Sequence, residues 1–356
     1  MLTTAGLTVD LTKVTANARR VAKALPGIEI VGVTKVTCGS PEVAFAMLEG
    51  GVLTFGESRL ANVERLRDAG ITAPIWLLRA PEPELAPDVV RLTEVSLASE
   101  TVSVAALDTA AGKAGRRHGI VAMVDVGDLR EGMLAEELPS FLEAASRFEH
   151  IDILGIGTSL TCYGAVVPSE ENLGELVRLA NTAERLLGRR LLVSGGMSSS
   201  IDLAVAGRMP AGVTNLRIGE SILLGVSTVT REPLLDLHTD AFVATATVVE
   251  CKLKPTAPVG EIAQDAFGGT PAFEDLGMRY RAICALGRQD APPDGLRPID
   301  PRVRVLGASS DHLILDVHDL PEPPAVGDTV AFVPNYAATL QLCTSPYVTK
   351  RLTGGC

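Results

Sequence analysis

Between residues 29 and 225 the chain repeats one pattern: a short run of apolar and β-branched residues, a break, then a longer stretch of helical period. The short runs are "EIVGVTKV" (29–36), "VLTFG" (52–56), "PIWLL" (74–78), "TEVSLA" (93–98), "IVAMVDVG" (120–127), "IDILGIG" (151–157), "RLLVSGG" (190–196) and "TNLRIG" (214–219). Such near-continuous apolar runs suit strands covered on both faces, as in a parallel sheet. The stretches between them, for example "SRLANVERLRDAG" and "SEENLGELVRLANTAERLLG", place apolar residues three and four apart and read as helices. Eight strands with crossover helices are what a (β/α)8 barrel needs, so the fold class is α/β with a TIM barrel. A leading helix, "DLTKVTANARRVAKAL", starts at the N-cap Asp10 and keeps Leu11, Val14, Ala18, Val21 and Leu25 on one face. Only the link after the third run, "RAPEPELAPDVVRL", is too Pro-rich for a full helix.

After about residue 236 the strands lose their helices. "AFVATATVVECKLK", "YRAICALG", "RVRVLGAS", "HLILDVHD" and "DTVAFV" follow one another across Pro, Gly and Asp turns. The expected organisation is a barrel over residues 10–235 and a C-terminal β-rich domain over 236–356, with residues 1–9 as a further strand of that domain.

Composition narrows the function. Hydrophobic residues make up 46% and charged ones 21% of 356 residues, an ordinary globular balance with core enough for two domains. The net charge of -11 and the scattered Lys and Arg argue against nucleic acid as a partner. The first residues, "MLTTAGLTVDLTKV", lack a basic segment followed by an apolar core, and no apolar run is long enough to span a bilayer, so a cytoplasmic location is expected. Cysteines 38, 162, 251, 284, 343 and 356 are widely spaced and are expected to be thiols; neither they nor the five histidines form a metal-type spacing.

In a barrel the chemistry gathers at the C-terminal ends of the strands. Lys35 ends the first strand, Arg130 follows the fifth, "TSLTCYG" (158–164) the sixth, "SGGMSSS" (194–200) the seventh, and Arg217 with "IGES" the eighth. Of seven lysines, Lys35 alone falls on a barrel strand, whereas Lys13, Lys23 and Lys113 lie on amphipathic helices. A desolvated lysine loses basicity and becomes a nucleophile able to join an aldehyde such as pyridoxal phosphate; the plainer alternative is a buried ion pair. "SGGMSSS" offers a glycine turn and hydroxyls to an anion, or simply caps a helix. An isolated strand-end lysine, a phosphate-type cradle and two arginines on one ring of loops fit a phosphorylated aldehyde cofactor.

The motifs "GVTKVTCGS", "MVDVGDLREGM", "GIGTSLTCYGA", "VSGGMSSSI", "TNLRIGESILLG", "LGASSDHLILDV" and "TSPYVTKRL" resemble, in order, the ornithine racemase branch of the alanine racemase superfamily, the fold type III pyridoxal-phosphate enzymes. The resemblance implies an alanine racemase-like barrel plus β domain, a homodimer, and interconversion of the L- and D-forms of a basic amino acid, most closely ornithine. It assigns Lys35 as cofactor anchor and base, Arg217 to the pyridine nitrogen and Arg130 to the phenolic oxygen. Ser198, Gly219 and Glu220 match phosphate-binding positions, and Tyr336 in "PNYAATL" matches a tyrosine that touches the phosphate. The family's second base, a tyrosine of the C-terminal domain, is replaced here by Arg288 in "LGRQDAP", and its supporting histidine by Ser159. His312 or Asp311 in "SSDH", Cys162, Tyr163 and Tyr347 remain for the opposite face, His312 first because its usual pKa lies nearest neutrality. Asp311 and Asp290 are the carboxylates considered for a substrate ammonium. A decarboxylase of the same fold type and a pyridoxal-phosphate carrier protein are the competing readings.

Overall fold

The computed structural model describes residues 5–355. Residues 1–4, part of the expected N-terminal strand, and Cys356 lie outside the described residues. The chain starts with β1 (Ala5–Asp10) and α1 (Leu11–Ala24). Strand and helix then alternate: β2 (Glu29–Val33), α2 (Pro41–Glu49), β3 (Thr54–Glu57), α3 (Leu60–Asp68), β4 (Ile75–Leu77), α4 (Ala86–Leu92), β5 (Val95–Ala98) and α5 (Thr101–Lys113). The series continues with β6 (His118–Met123), α6 (Leu138–Ala145), β7 (Ile151–Gly157), α7 (Glu170–Leu187), β8 (Leu192–Met197), α8 (Ile201–Val205), β9 (Asn215–Ile218) and α9 (Glu220–Leu224). β2 to β9 close into a parallel barrel in sequence order, sealed by pairing of β2 with β9 at Val31↔Arg217 and Gly32↔Ile218.

A dry cluster of Val31, Trp76, Val95, Leu97, Val121 and Met123 from β2, β4, β5 and β6 packs together in the core. The Pro-rich link after β4 holds no full-length helix, as its composition predicts, but it does hold a seven-residue one. A single 3₁₀ turn at Pro83–Leu85 leads into α4, and Pro83 and Pro87 both occupy first-turn positions, where a missing N–H removes no intrahelical bond.

The chain divides into two compact units, residues 11–239 with the barrel, and residues 5–10 with 240–354. The barrel unit thus keeps residues 236–239, which the change of pattern near 236 had placed with the β domain. Hydrogen bonding explains this. The buried Asn17 side chain donates to the Ile222 carbonyl (3.0 Å) and the His238 carbonyl (2.9 Å) and accepts from the His238 N–H (2.8 Å), while Arg20 donates to the Asp236 carbonyl (2.6 Å).

The second unit contains β10 (Phe242–Pro255), β11 (Met278–Cys284), β12 (Leu296–Pro298), β13 (Arg304–Ala308), β14 (Leu313–Asp316), β15 (Thr329–Pro334), α10 (Tyr336–Thr344) and β16 (Thr349–Thr353). Its sheet runs β12-β15-β10-β11-β14-β13, and β1 joins it antiparallel to β10 and parallel to β16. β1 and the first half of β10 alternate buried and half-buried residues, the mark of strands with one covered face.

One buried group in the barrel makes stability depend on pH. His118 opens β6, is 0% exposed, and shares a hydrogen bond between Nε2 and the Ser96 hydroxyl (2.9 Å). Burial, helped by Arg116, pushes its pKa down from 6.5 to about 4. The unfolded chain therefore binds a proton between those values that the folded chain refuses, so stability is complete above pH 6.5 and falls as the pH approaches 4. The loss attributable to this group is about 3 kcal/mol. Urea unfolding of His118→Asn at several pH values is expected to show a shallower acid slope than the wild type; equal slopes would remove His118 from the account.

Candidate active site

Lys35 does not lie on the strand, as its apolar surroundings suggested, but just beyond it. β2 ends at Val33, Thr34 leaves the extended conformation, and Lys35–Thr37 form a 3₁₀ turn closed by Cys38 in the left-handed region. The Thr34 carbonyl holds this turn, accepting from Thr37 N–H (3.0 Å), Thr37 Oγ1 (2.8 Å) and Gly39 N–H (3.3 Å). The lysine is thereby half-buried at the C-terminal end of the barrel. Burial depresses its pKa; Cys162, Glu57 and Glu131 oppose the drop, and Arg130 reinforces it.

The second cation, Arg217 on β9, is 3% exposed. Its Nη1 donates to Ser194 Oγ (2.5 Å), and its Nη2 to the Thr158 carbonyl (2.6 Å) and Ser159 Oγ (3.3 Å). Burial and then Arg130 lower Arg217 to about 10, against the pull of Glu131, so it remains a cation at neutral pH. Arg130 donates to the same Ser159 hydroxyl (2.6 Å) and pairs with Glu131 (2.5 Å). One serine oxygen therefore bridges two guanidinium groups. Glu131 is the carboxylate beside this pair; burial raises its pKa, and Arg130, Arg217 and Lys35 all act to lower it.

The loops that bring these groups together are interlocked by Asp128. Its buried carboxylate accepts from the N–H groups of Cys162 (3.3 Å), Tyr163 (3.0 Å) and Val166 (3.1 Å), tying the loop after β6 to the loop after β7. Leu129, Thr161 and Ala165 take positive φ angles of 53–56°, conformations that side chains avoid unless the surroundings impose them.

At the ends of β8 and β9, Ser198 Oγ accepts from the N–H groups of Gly219 (3.3 Å) and Ser221 (3.4 Å). A Cβ at position 219 would lie 2.8 Å from the Val33 carbonyl, so only glycine lets β9 leave so close to β2. Glu220 turns its carboxylate to Arg231. Ser199 Oγ and Thr158 Oγ1 are buried without a partner among the described residues, and an unsatisfied buried hydroxyl calls for a polar occupant. An amine of lowered basicity, two convergent N–H groups beside three serines, and two arginines supply the donor set that pyridoxal phosphate requires for its aldehyde, phosphate and ring heteroatoms. Among the described residues no group of His, Cys, Asp and Glu is gathered to hold a metal ion.

Residues 9–227 match the family model described as "Alanine racemase, N-terminal domain". The chain belongs to the alanine racemase family. It is 40% identical to an ornithine racemase of Acetoanaerobium sticklandii over 97% of this chain and 99% of that one. It is also 40% identical to a lysine racemase of Thermotoga maritima over 97% of both. Its fold matches that of an alanine racemase from Bartonella henselae, described with covalently bound pyridoxal phosphate, at a TM-score of 0.73, 17% identity and coverage of 98% and 99%.

The barrel unit of this family member thus unites Lys35, Arg130, Ser198, Arg217, Gly219 and Glu220. The remaining expected residues belong to the β unit. There the loop of residues 285–291 runs beside that of 308–312: Arg288 N–H donates to the Ser309 carbonyl (2.9 Å), Gln289 N–H to the Ser310 carbonyl (3.1 Å), and Arg288 Nε to the Ala308 carbonyl (3.1 Å). His312 and Asp311 cap this pair, with His312 N–H on Ser309 Oγ (3.1 Å) and Ser310 Oγ on Asp311 (2.7 Å). Asp290 accepts from Ser345 Oγ (2.7 Å), whose oxygen also takes the Tyr347 N–H (3.2 Å). Arg288 stacks its guanidinium 4.7 Å from the Phe267 ring centre. Tyr336 opens α10, behind the N-cap Asn335.

Two carboxylates escaped sequence reasoning. Glu57 ends β3 and is 0% exposed, and Glu131 directly follows Arg130. Their common signal was an acidic residue at, or in the loop that follows, the C-terminal end of a barrel strand.

Proposed function

We propose that the chain is a pyridoxal-phosphate-dependent racemase that interconverts the L- and D-forms of a basic amino acid, ornithine first and lysine next. The observation that carries this is the half-buried Lys35 amine at the C-terminal end of the barrel, facing Arg130, on the same ring of strand ends as the Arg217 guanidinium and the Ser198 turn. The substrate class rests on the two relatives at 40% identity, whose names specify ornithine and lysine. Spanning 97% of this chain, they favour the racemase over a decarboxylase or a carrier protein.

When bound, pyridoxal phosphate supplies an aldehyde for amino groups and a ring that acidifies the α-C–H of an attached amino acid. The chain's own residues do the rest. Lys35 Nζ, its basicity lowered by burial, anchors the group and moves the proton at one face of the α-carbon. Arg217, a cation at neutral pH, would hold the ring nitrogen and disfavour a further proton there. Arg130, oriented by Ser159 and Glu131, serves the phenolic oxygen. Ser198 and the N–H groups of Gly219 and Glu220 would hold the phosphate; Tyr336 matches a phosphate-contacting tyrosine of the family by resemblance alone.

Inversion needs a second proton carrier on the opposite face. With Arg288 in place of the family tyrosine, His312 is assigned this role, with Asp311 as the second candidate for it and as a carboxylate for the substrate ammonium. A homodimer and a cytoplasmic location complete the reading; among the described residues no helix is long and apolar enough to cross a membrane.

Incubation with L-ornithine or L-lysine in deuterium oxide, followed by chiral chromatography and mass spectrometry, is expected to give the D-isomer with deuterium at the α-carbon. A cofactor-loaded protein that yields neither D-isomer contradicts the reading.

A further inference from the structure

Glu57 stands out among the groups that the proposed mechanism leaves unused. It is a carboxylate with 0% exposure at the end of β3, and such side chains are almost never fully buried without a partner. Its Oε1 accepts from the Thr34 hydroxyl (2.6 Å), and its Oε2 from the Ser58 N–H (3.2 Å) and the Asn62 amide (3.1 Å). All three donors are neutral, so they satisfy the oxygens without cancelling the charge. Register brings a cation to it: β2 and β3 pair at Val33↔Gly56, which sets Thr34 and Lys35 beside Glu57 at adjoining strand ends.

We propose that Glu57 is a positioning residue for Lys35: through the Thr34 hydroxyl it fixes the strand end from which the lysine departs, and its carboxylate is the buried counter-charge of the amine. Thr34 is the hinge of this arrangement. Its hydroxyl is bound to Glu57 while its carbonyl holds the turn that carries Lys35. The role rests on the reading of Lys35 as the reactive amine and deepens it, by naming a group that holds that amine in place and favours its protonated form against the effect of burial.

Other charged or titratable groups also face Lys35. Cys162 comes from the loop after β7, Arg130 and Glu131 from the loop after β6, and Glu220 from the start of α9. Arg130 is paired with Glu131, and Glu220 with Arg231. Glu57, by contrast, has no arginine among its hydrogen-bond donors. Lys35 is the cation that acts on its charge.

The test reads the amine directly. Competitive acetylation of the full-length, cofactor-free chain across pH, with peptide mass spectrometry and exposed Lys113 as internal reference, gives the midpoint at which Lys35 becomes reactive. Glu57→Gln keeps the shape and removes the charge, which disfavours the ammonium; its midpoint is expected about one pH unit below that of the wild type. Glu57→Asp, which keeps the charge, is expected to move the midpoint back toward the wild-type value. Thr34→Val removes the linking hydroxyl and is expected to shift the midpoint in the same direction as Gln, so the proposal stays testable should the Gln variant fail to fold. In the loaded enzyme the acid limb of kcat/KM should move with the midpoint. An unchanged Lys35 midpoint in Glu57→Gln or Thr34→Val, whatever happens to thermal stability, overturns the proposal and leaves Glu57 as a brace for α3. Failure of the cofactor reading shows separately, as a wild-type Lys35 that cofactor never protects from acetylation.

Discussion

Lys35→Ala is expected to lose racemisation by about 10⁴-fold or more, because the change removes both the anchor of the cofactor and one of the two proton carriers. Lys35→Arg is the sharper variant. A guanidinium keeps the positive charge facing Glu57 and Glu131 and can pair with either carboxylate, yet it stays protonated and cannot join an aldehyde. If Lys35 served only an ion pair, arginine would preserve function. Lys35→Arg is expected to fold with unchanged circular dichroism and to be as inactive as Lys35→Ala in a chiral assay. Substantial activity in either variant would show that the lysine does no chemistry.

The second large effect is expected at a residue that touches no substrate. Asp128 accepts three N–H groups of the loop after β7 and so holds Thr161 and Ala165 in positive-φ conformations. Each such conformation costs about 1–3 kcal/mol and persists only while its surroundings impose it. In Asp128→Ala those N–H groups lose their acceptor, the strain is released, and the neighbouring Ser159 hydroxyl no longer bridges Arg130 and Arg217 in a fixed place. A displacement of about 1 Å in such a group is enough for a 100-fold loss, so kcat/KM is expected to fall about 10²-fold. Asp128→Asn retains one acceptor oxygen and should fall between the two. Hydrogen exchange at the Cys162, Tyr163 and Val166 amides checks the cause: they should exchange faster in both variants. Wild-type kcat/KM with accelerated exchange would uncouple the loop from the site.

Much of the barrel was legible because each strand is buried on both faces, which writes a run such as "IVAMV" into the sequence. The helix α4 was missed because proline was counted as a breaker, whereas Pro83 and Pro87 stand in first turns. In the β unit, the three-residue β12 and the largely exposed β16 were too short or too polar to show a period of two. Helix α10 was hidden too, since "YAATLQLCT" is brief and weakly amphipathic.

The candidate site was legible where a residue type is rare in its setting. Lys35 stood out as a charge in an apolar run, although the structure sets it one residue past Thr34, on a turn that no periodicity reveals. Ser198, Arg217 and Gly219 were found from glycine and hydroxyl clusters at strand ends; in the structure the Gly219 N–H donates to Ser198 Oγ, and Arg217 donates to Ser194 Oγ. Glu57 and Glu131 were not found, because an acidic residue at a helix approach reads as a solvated charge until burial and partners are known. Asp128 was hidden for the same reason: its three partners lie 34 to 38 residues away in sequence.

The most direct measurement is covalent. The protein loaded with pyridoxal phosphate is treated with borohydride, digested, and mapped by mass spectrometry for lysines bearing the reduced cofactor. A single modified site is expected, Lys35, out of the seven lysines of the chain. An unmodified Lys35, or a label carried elsewhere, would contradict it and return that amine to an ordinary ion pair with its neighbouring carboxylates.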